Sequence, residues 1–232
     1  MSTRLPHIFL SLALLVCCSV YATAQNTIVG PPPKKTTTTT SSGSSSSTSS
    51  TSSGTINGHA YVDLGLSVKW ATCNVGASSS EDYGNYYAWG ETSTKSSYTT
   101  DNSKTHGKST YNYDISGDAS LDVARANWGG TWRLPTEAEA TELKDKCTWT
   151  WTTQGGKKGR KVTGPSGRFI FLPAAGYRFG SSLDYAGSVG YYWTSTPYEV
   201  TAFAYDLCFY ASDRYVGWYS RRNGFSVRPV SE

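Results

Sequence analysis

Charge is scarce in this 232-residue sequence, where Asp, Glu, Lys and Arg together make up 16%. Arg4, Lys34 and Lys35 precede residue 56, so positions 56–232 carry 18 basic against 17 acidic side chains. A net charge of +1 offers no electrostatic footprint for nucleic acid, and no such partner is expected. Long apolar runs are missing too. The run from Ile8 to Val20 has about 13 positions, too few to cross roughly 30 Å of hydrocarbon as a helix. No H-E-x-x-H, G-x-S-x-G or D-x-[DN]-x-[DN]-G pattern occurs, which removes the usual signals for a zinc hydrolase, a serine nucleophile elbow and a calcium loop. His59 and His106 read as surface residues, and neither a metal nor a cofactor is expected.

What is present divides the chain into three. Arg4, the apolar run and Ala22-Thr-Ala24 form the charged start, apolar core and small-residue site of a secretory signal peptide cleaved after Ala24. Acylation at Cys17 or Cys18 is the competing lipoprotein reading, but Leu15 and Val16 stand where a small residue is wanted. Residues 25–55 read as a Pro/Ser/Thr-rich linker with nothing to bury, hence disordered and suited to holding a domain off a surface. Residues 56–232 hold 30 aromatic side chains, ample apolar area for one core.

Within that domain the strand signals outnumber the helix signals. His59-Ala-Tyr-Val-Asp-Leu64 and Ser67-Val-Lys-Trp-Ala-Thr72 are short β-prone runs. Trp149-Thr-Trp-Thr152, Arg160-Lys-Val-Thr163 and Arg168-Phe-Ile-Phe-Leu172 form a meander broken by glycine-rich turns. From 203 to 210 alternation places Phe203, Tyr205, Leu207 and Phe209 on one face, with Ala204, Asp206, Cys208 and Tyr210 on the other. Thr136-Glu-Ala-Glu139 is a capping box opening one helix, and a shorter helix near Ser120 to Asn127 should stop at Gly129-Gly130. Two helices with many short antiparallel strands make an α+β domain.

After export Cys73, Cys147 and Cys208 remain in an oxidising compartment, where pairing is expected. Cys73 ends an early strand and Cys147 ends the capped helix, and a Cys73–Cys147 disulfide is the expected bridge. It would stabilise by roughly 4 kcal/mol on a chain-entropy model. The alternative is three buried thiols acting as small apolar side chains.

Tyr61-Val-Asp-Leu-Gly-Leu66, Lys69-Trp-Ala-Thr-Cys-Asn-Val-Gly-Ala77, Tyr87-Ala-Trp-Gly-Glu91, Trp128-Gly-Gly-Thr-Trp-Arg-Leu-Pro-Thr-Glu-Ala-Glu139, Phe171-Leu-Pro-Ala-Ala-Gly-Tyr177 and Gly224-Phe-Ser-Val-Arg-Pro-Val230 together resemble the Fibrobacter succinogenes major paralogous domain family. Several of these blocks also resemble the formylglycine-generating, or sulfatase-modifying-factor, superfamily. The resemblance implies a single C-type-lectin-like domain whose first and last strands pair, here Tyr61-Val-Asp-Leu64 with Ser226-Val-Arg-Pro-Val230. Formylglycine generation needs two nearby C-terminal cysteines, and Cys208 stands alone there. The Glu-Pro-Asn, Gln-Pro-Asp and Trp-Asn-Asp signatures of calcium-dependent lectins are absent as well. Carboxylate pairs such as Asp206 with Asp213, or Glu199 with Asp206, would serve glycoside hydrolysis only at a definite separation.

Positions 190–223 hold 11 aromatics in 34 residues, about twice the domain's average density, interleaved with small polar residues and arginines. Tyr and Trp give rigid amphipathic contact area, while guanidinium groups stack and donate in forked pairs. The expected ligand-binding residues are Tyr198, Tyr210, Asp213, Arg214, Tyr215, Trp218, Tyr219, Arg221 and Arg222. The expected function is a secreted or cell-surface, non-catalytic binding or adhesion module for a glycan or protein, with attachment to the cell envelope an open possibility. The alternatives are a structural envelope or fimbria-associated component and an enzyme on a formylglycine-generating-enzyme-like fold.

Overall fold

The computed structural model describes residues 53–232; the expected signal peptide and nearly all of the expected linker lie outside the described residues. Its first element is a hairpin. Strands β1 (Ser53–Ile56) and β2 (His59–Val62) pair around Asn57 and Gly58, whose φ values of 45° and 81° are the two positive angles a two-residue hairpin turn needs. Ser53, Gly54 and Thr55, assigned to the linker by composition, therefore belong to the fold, facing Val62, Tyr61 and Ala60.

Strand β3 (Lys69–Ala71) continues the sheet, and β12 (Val230–Ser231) closes it in the order β1-β2-β3-β12. The end of the chain thus returns to its beginning, but not to the partner expected. Trp70 faces Val230 and Lys69 faces Ser231, while Tyr61 and Val62 face Ala71 and Trp70. Strand β2 already has β1 on one side and β3 on the other, so it has no free edge for residues 226–230.

Both helices start where their caps dictate. Helix α1 (Val123–Trp128) begins at Asp122, whose Oδ1 accepts from the N–H of Ala124 and Arg125 at 2.9 and 3.2 Å. Its Oδ2 accepts from Gly117 and Leu134 at 2.8 and 2.9 Å, so a single buried carboxylate serves four backbone donors. The helix stops at Gly129, with φ of 65°. Helix α2 (Glu137–Lys146) has the reciprocal capping box: Thr136 Oγ1 accepts from Glu139 N–H at 3.2 Å, and Glu139 Oε2 accepts from Thr136 N–H at 2.8 Å. Arg133 grips the same Glu139 carboxylate in a two-pronged pair at 2.7 and 2.8 Å. Ala140 and Leu143 of α2 face inward.

The meander is β4 (Thr148–Gln154), β5 (Lys157–Thr163) and β6 (Phe169–Pro173), in sequential antiparallel order. A small ribbon, β7 (Tyr177–Phe179) with β8 (Ser182–Asp184), follows it. The last sheet is β9 (Val189–Pro197), β10 (Phe203–Tyr210) and β11 (Arg214–Ser220), with β10 in the centre. One core cluster gathers Trp70, Leu143, Trp149, Leu172, Leu207 and Phe209, and another gathers Trp89, Trp132, Trp193, Phe225 and Val227. The described architecture is α+β. No helix among the described residues is long and apolar enough to cross a membrane.

Arg228 is buried where residues 224–230 thread between these sheets. Its Nε donates to Asn74 Oδ1 at 2.8 Å, Nη1 to the carbonyls of Ala71 and Thr72 at 3.1 and 2.9 Å, and Nη2 to the carbonyl of Phe171 at 2.9 Å. One side chain thereby joins the end of β3, the loop after it and β6. Truncating a buried charge leaves its partners desolvated and unpaired. Arg228→Met is expected to cost about 3 kcal/mol or more, read as a lower urea midpoint at unchanged slope.

The expected Cys73–Cys147 disulfide is corrected by the structure: Cys73, Cys147 and Cys208 are all free thiols. Half-buried Cys73 lies just past β3 with its sulfur 3.4 Å from Thr72 Oγ1. Cys147 instead packs into the core cluster of Leu143 and Trp149. Each sulfur has its own packing site, and burial pushes the Cys147 thiol up to about 11 and the Cys208 thiol to about 12. Thiol titration under denaturing, non-reducing conditions should find three free thiols in the chain from Gln25 onward. In the native protein Cys73 should react first.

Candidate functional site

Strand alternation divides the expected site. In register, Tyr205 faces Trp218, Leu207 faces Val216 and Phe209 faces Arg214, which puts these side chains on one face of the β9–β10–β11 sheet. Ala204 faces Tyr219, Asp206 faces Gly217 and Cys208 faces Tyr215, on the opposite face. The nine expected residues therefore do not form one surface.

The first face changes character along its length. Leu207 and Phe209 belong to the core with Ala140 and Leu143 of α2, and Phe209 packs so closely over Gly190 that a Cβ there would sit 2.2 Å from the ring. Toward the start of β10 the same face becomes an aromatic platform. Trp218, 49% exposed, stacks on Tyr198 with centroids 5.0 Å apart and planes at 25°, and Phe203 meets it edge-on at 5.0 Å. Tyr205 braces Tyr198 from the side at 5.4 Å. The indole is held on two sides by rings, which fixes its orientation while its remaining face is open to solvent.

Arg221, expected to contact ligand, is buried and structural. Its Nε donates to the Phe203 carbonyl at 2.8 Å and its Nη2 to Asn112 Oδ1 at 2.7 Å, and its guanidinium lies 4.3 Å from the Trp89 ring centroid. Burial pushes its pKa down to about 10. Half-buried Arg222 reaches away from the platform, donating to Thr100 Oγ1 at 2.7 Å and lying over the Phe179 ring. Arg214 donates from Nε to the Lys144 carbonyl at the end of α2, at 3.2 Å. Tyr210 and Asp213 sit at the β10–β11 turn, where Tyr210 N–H donates to the Asp213 carbonyl at 3.0 Å and Asp213 Oδ1 accepts from Arg214 N–H at 2.7 Å. Arg160 steadies this turn, with Nη2 2.7 Å from the Tyr210 carbonyl. The three arginines of the expected site thus mainly serve the fold.

The second face carries what alternation marked but aromatic density obscured. Tyr215 is 41% exposed, while Tyr191 and Tyr219 are half-buried and packed against each other at 5.7 Å. Tyr177 touches both, at 5.2 and 5.7 Å. Under them lies Asp206, 2% exposed and without a hydrogen-bond partner at Oδ2 among the described residues. Burial alone raises its carboxyl to about 8. The carboxylate pairings weighed from the sequence do not hold it: Tyr210, where the turn to Asp213 begins, is about 13 Å of strand away from Asp206. Glu199 is exposed beyond the end of β9. Among the described residues no three His, Cys, Asp or Glu side chains gather as a metal site.

Residues 148–230 match a family model described as a domain of unknown function, DUF8237. The matched segment runs from β4 into β12 and takes in both faces of the β9–β10–β11 sheet. No curated protein and no solved structure matches the chain.

Asp206 has a defined consequence for stability. A carboxyl at about 8 in the fold against an ordinary value near 4 keeps its proton when folded and loses it when unfolded. Its contribution is therefore full below about pH 4 and is lost progressively as the pH rises to about 8. Asp206→Asn removes that term without removing the side chain's volume. The variant's melting temperature should gain on the wild type between pH 5 and pH 8, and the difference should level off above that. A constant difference across this range would refute the assignment.

Proposed function

We propose that the domain is a secreted or cell-surface, non-catalytic binding module that holds a glycan or protein on the Trp218 platform. The observation that carries this reading is the half-exposed indole fixed between Tyr198 and Phe203. A rigid flat ring loses little entropy on contact and suits the apolar face of a sugar ring or the side chain of a partner protein. Tyr198, stacked on it, and Tyr205, against Tyr198, each carry a hydroxyl able to donate or accept a hydrogen bond.

The finer fold reading, a C-type-lectin-like domain of the major paralogous and sulfatase-modifying-factor type, is part of the same proposal. It is supported by the closure of the terminal strand β12 on the early strand β3, by the two capped helices and by the short antiparallel sheets. Export and tethering rest on the sequence of residues 1–52. Their Ser/Thr-rich composition fits a spacer between an envelope surface and the binding face.

A glycan array and a host-protein array, probed with the secreted chain and with a Trp218→Ala, Tyr198→Ala variant, test the assignment. The variant should keep its circular dichroism, because neither side chain belongs to the core clusters, and should lose roughly tenfold or more of the signal. Equal signal from both proteins would reject the platform.

A further inference from the structure

The opposite face of the same sheet holds a buried carboxyl group without a partner. Asp206 is in the middle of the central strand, facing Trp193 on β9 and Gly217 on β11. Because Gly217 has no side chain, β11 puts nothing of its own directly over the carboxyl. The Tyr215 ring leans into that space, its Cδ2 and Cε2 lying 3.2 and 3.1 Å from where a Cβ on Gly217 would be. Tyr191 and Tyr219 stand beside it, and the Tyr191 and Tyr215 hydroxyls lie next to the Cys208 thiol rather than on the carboxylate. No donor among the described residues reaches Asp206 Oδ2.

Burial is the one cause of the Asp206 shift, with no cation acting on it, and the arginines of this part of the fold are committed elsewhere. Arg221 is spent on Phe203 and Asn112, Arg214 on Lys144, and Arg160 on the Tyr210 turn. An orphan carboxylate oxygen in a low-dielectric setting calls for an N–H donor with a positive charge. Aromatic walls favour the same charge through their ring faces. A metal ion would need further oxygen or nitrogen ligands, which the surrounding rings do not supply. A quaternary ammonium would satisfy the rings and leave the oxygen without a hydrogen bond.

We propose that Asp206, walled by Tyr191, Tyr215 and Tyr219, receives the primary ammonium group of a ligand, with Tyr215 as the ring that moves aside to admit it. The site lies across the sheet from the Trp218 platform and stands independently of it. A lysine side chain and an amino sugar both present an ammonium group, the sugar's losing its proton near about pH 8, and the experiment separates them. Entry of the ammonium displaces the proton that Asp206 holds in the free protein, so binding tightens as the pH rises toward 8. The titratable groups facing Asp206 are Tyr191 on β9, Cys208 on β10, and Tyr215 and Tyr219 on β11. Burial raises Tyr191, Cys208 and Tyr215 further from titration in this range.

The test uses the full secreted chain with N-acetyl-lysine methylamide and with glucosamine. Tetramethylammonium and sodium at equal ionic strength are the controls. Melting temperature and titration calorimetry are read at pH 6 and pH 8.5. One of the two amines should raise the melting temperature where the controls do not, more strongly at pH 8.5 than at pH 6, and the stronger of them at pH 6, where both amines are protonated, names the source. Asp206→Asn, folded by circular dichroism, should bind at least about tenfold more weakly. Tyr215→Ala, which keeps the carboxyl but removes a wall, should also weaken binding while Trp218→Ala leaves it unchanged. Binding of equal strength by Asp206→Asn, or no response of the wild type to either amine, would overturn the proposal.

Discussion

The fold depends on a charge that has been taken out of water and given four acceptors. Arg228 can remain ionised in the interior only because Asn74 and the carbonyls of Ala71, Thr72 and Phe171 surround its guanidinium. Three acceptors lie within residues 71–74 and the fourth is in β6, so satisfying the arginine requires the end of β3, the loop after it and β6 to be in place together. The segment that carries it also bridges Tyr87 through Phe225, Tyr192 through Ser226 and Arg133 through Val230. Residues 224–230 are therefore the seam along which the separate sheets are joined, and the two aromatic clusters lie to either side of it.

That seam fixes the β9–β10–β11 sheet in space, and strand alternation does the rest. A run of rings that looks continuous along the chain is divided between two surfaces with different chemistry. On one, packing converts Trp218 into an oriented plate. On the other, a glycine opposite an aspartate leaves a carboxyl under tyrosines. Buried arginines mark the border between these surfaces and the core, which is why guanidinium groups that look like ligand contacts in sequence act as braces for loops and turns.

Much of the framework was legible in the residues. The capping box at Thr136 and Glu139 sets the start of α2, the glycines at 129 and 130 stop α1, and the glycine-broken runs after Trp149 become the meander. Local chemistry decides each of these, so a single sequence suffices. Long-range choices were less accessible. Asn57-Gly58 is a strong hairpin signal, but Ser/Thr-rich composition disguised Ser53, Gly54 and Thr55 as linker. The resemblance led to pairing of Tyr61–Leu64 with the last strand, whereas β12 pairs with β3, because which strand receives it depends on which edge remains open. The Cys73–Cys147 bridge was not legible, because Cys73 lies beside Thr72 whereas Cys147 packs with Leu143 and Trp149, and those neighbours are set by the fold. At the candidate site, Trp218 was legible as an exposed aromatic. Arg221 was not legible as buried, since its acceptors Asn112 and Phe203 are distant in sequence. Asp206 could be placed on its face by period two, but its isolation depends on Gly217 in the neighbouring strand.

The edge position of β1 gives the molecule a mechanical asymmetry. Force arriving from residues before Ser53 meets first a four-residue strand that is paired on one side only and turns back on itself at Asn57 and Gly58. Such a strand can be peeled away one hydrogen-bonded pair at a time, lengthening the connection while the Arg228 seam and both aromatic faces remain assembled. The hairpin is then a compliant joint at the rim, so that tension on the chain ahead of Ser53 is absorbed there before it reaches the Trp218 and Asp206 faces of the sheet.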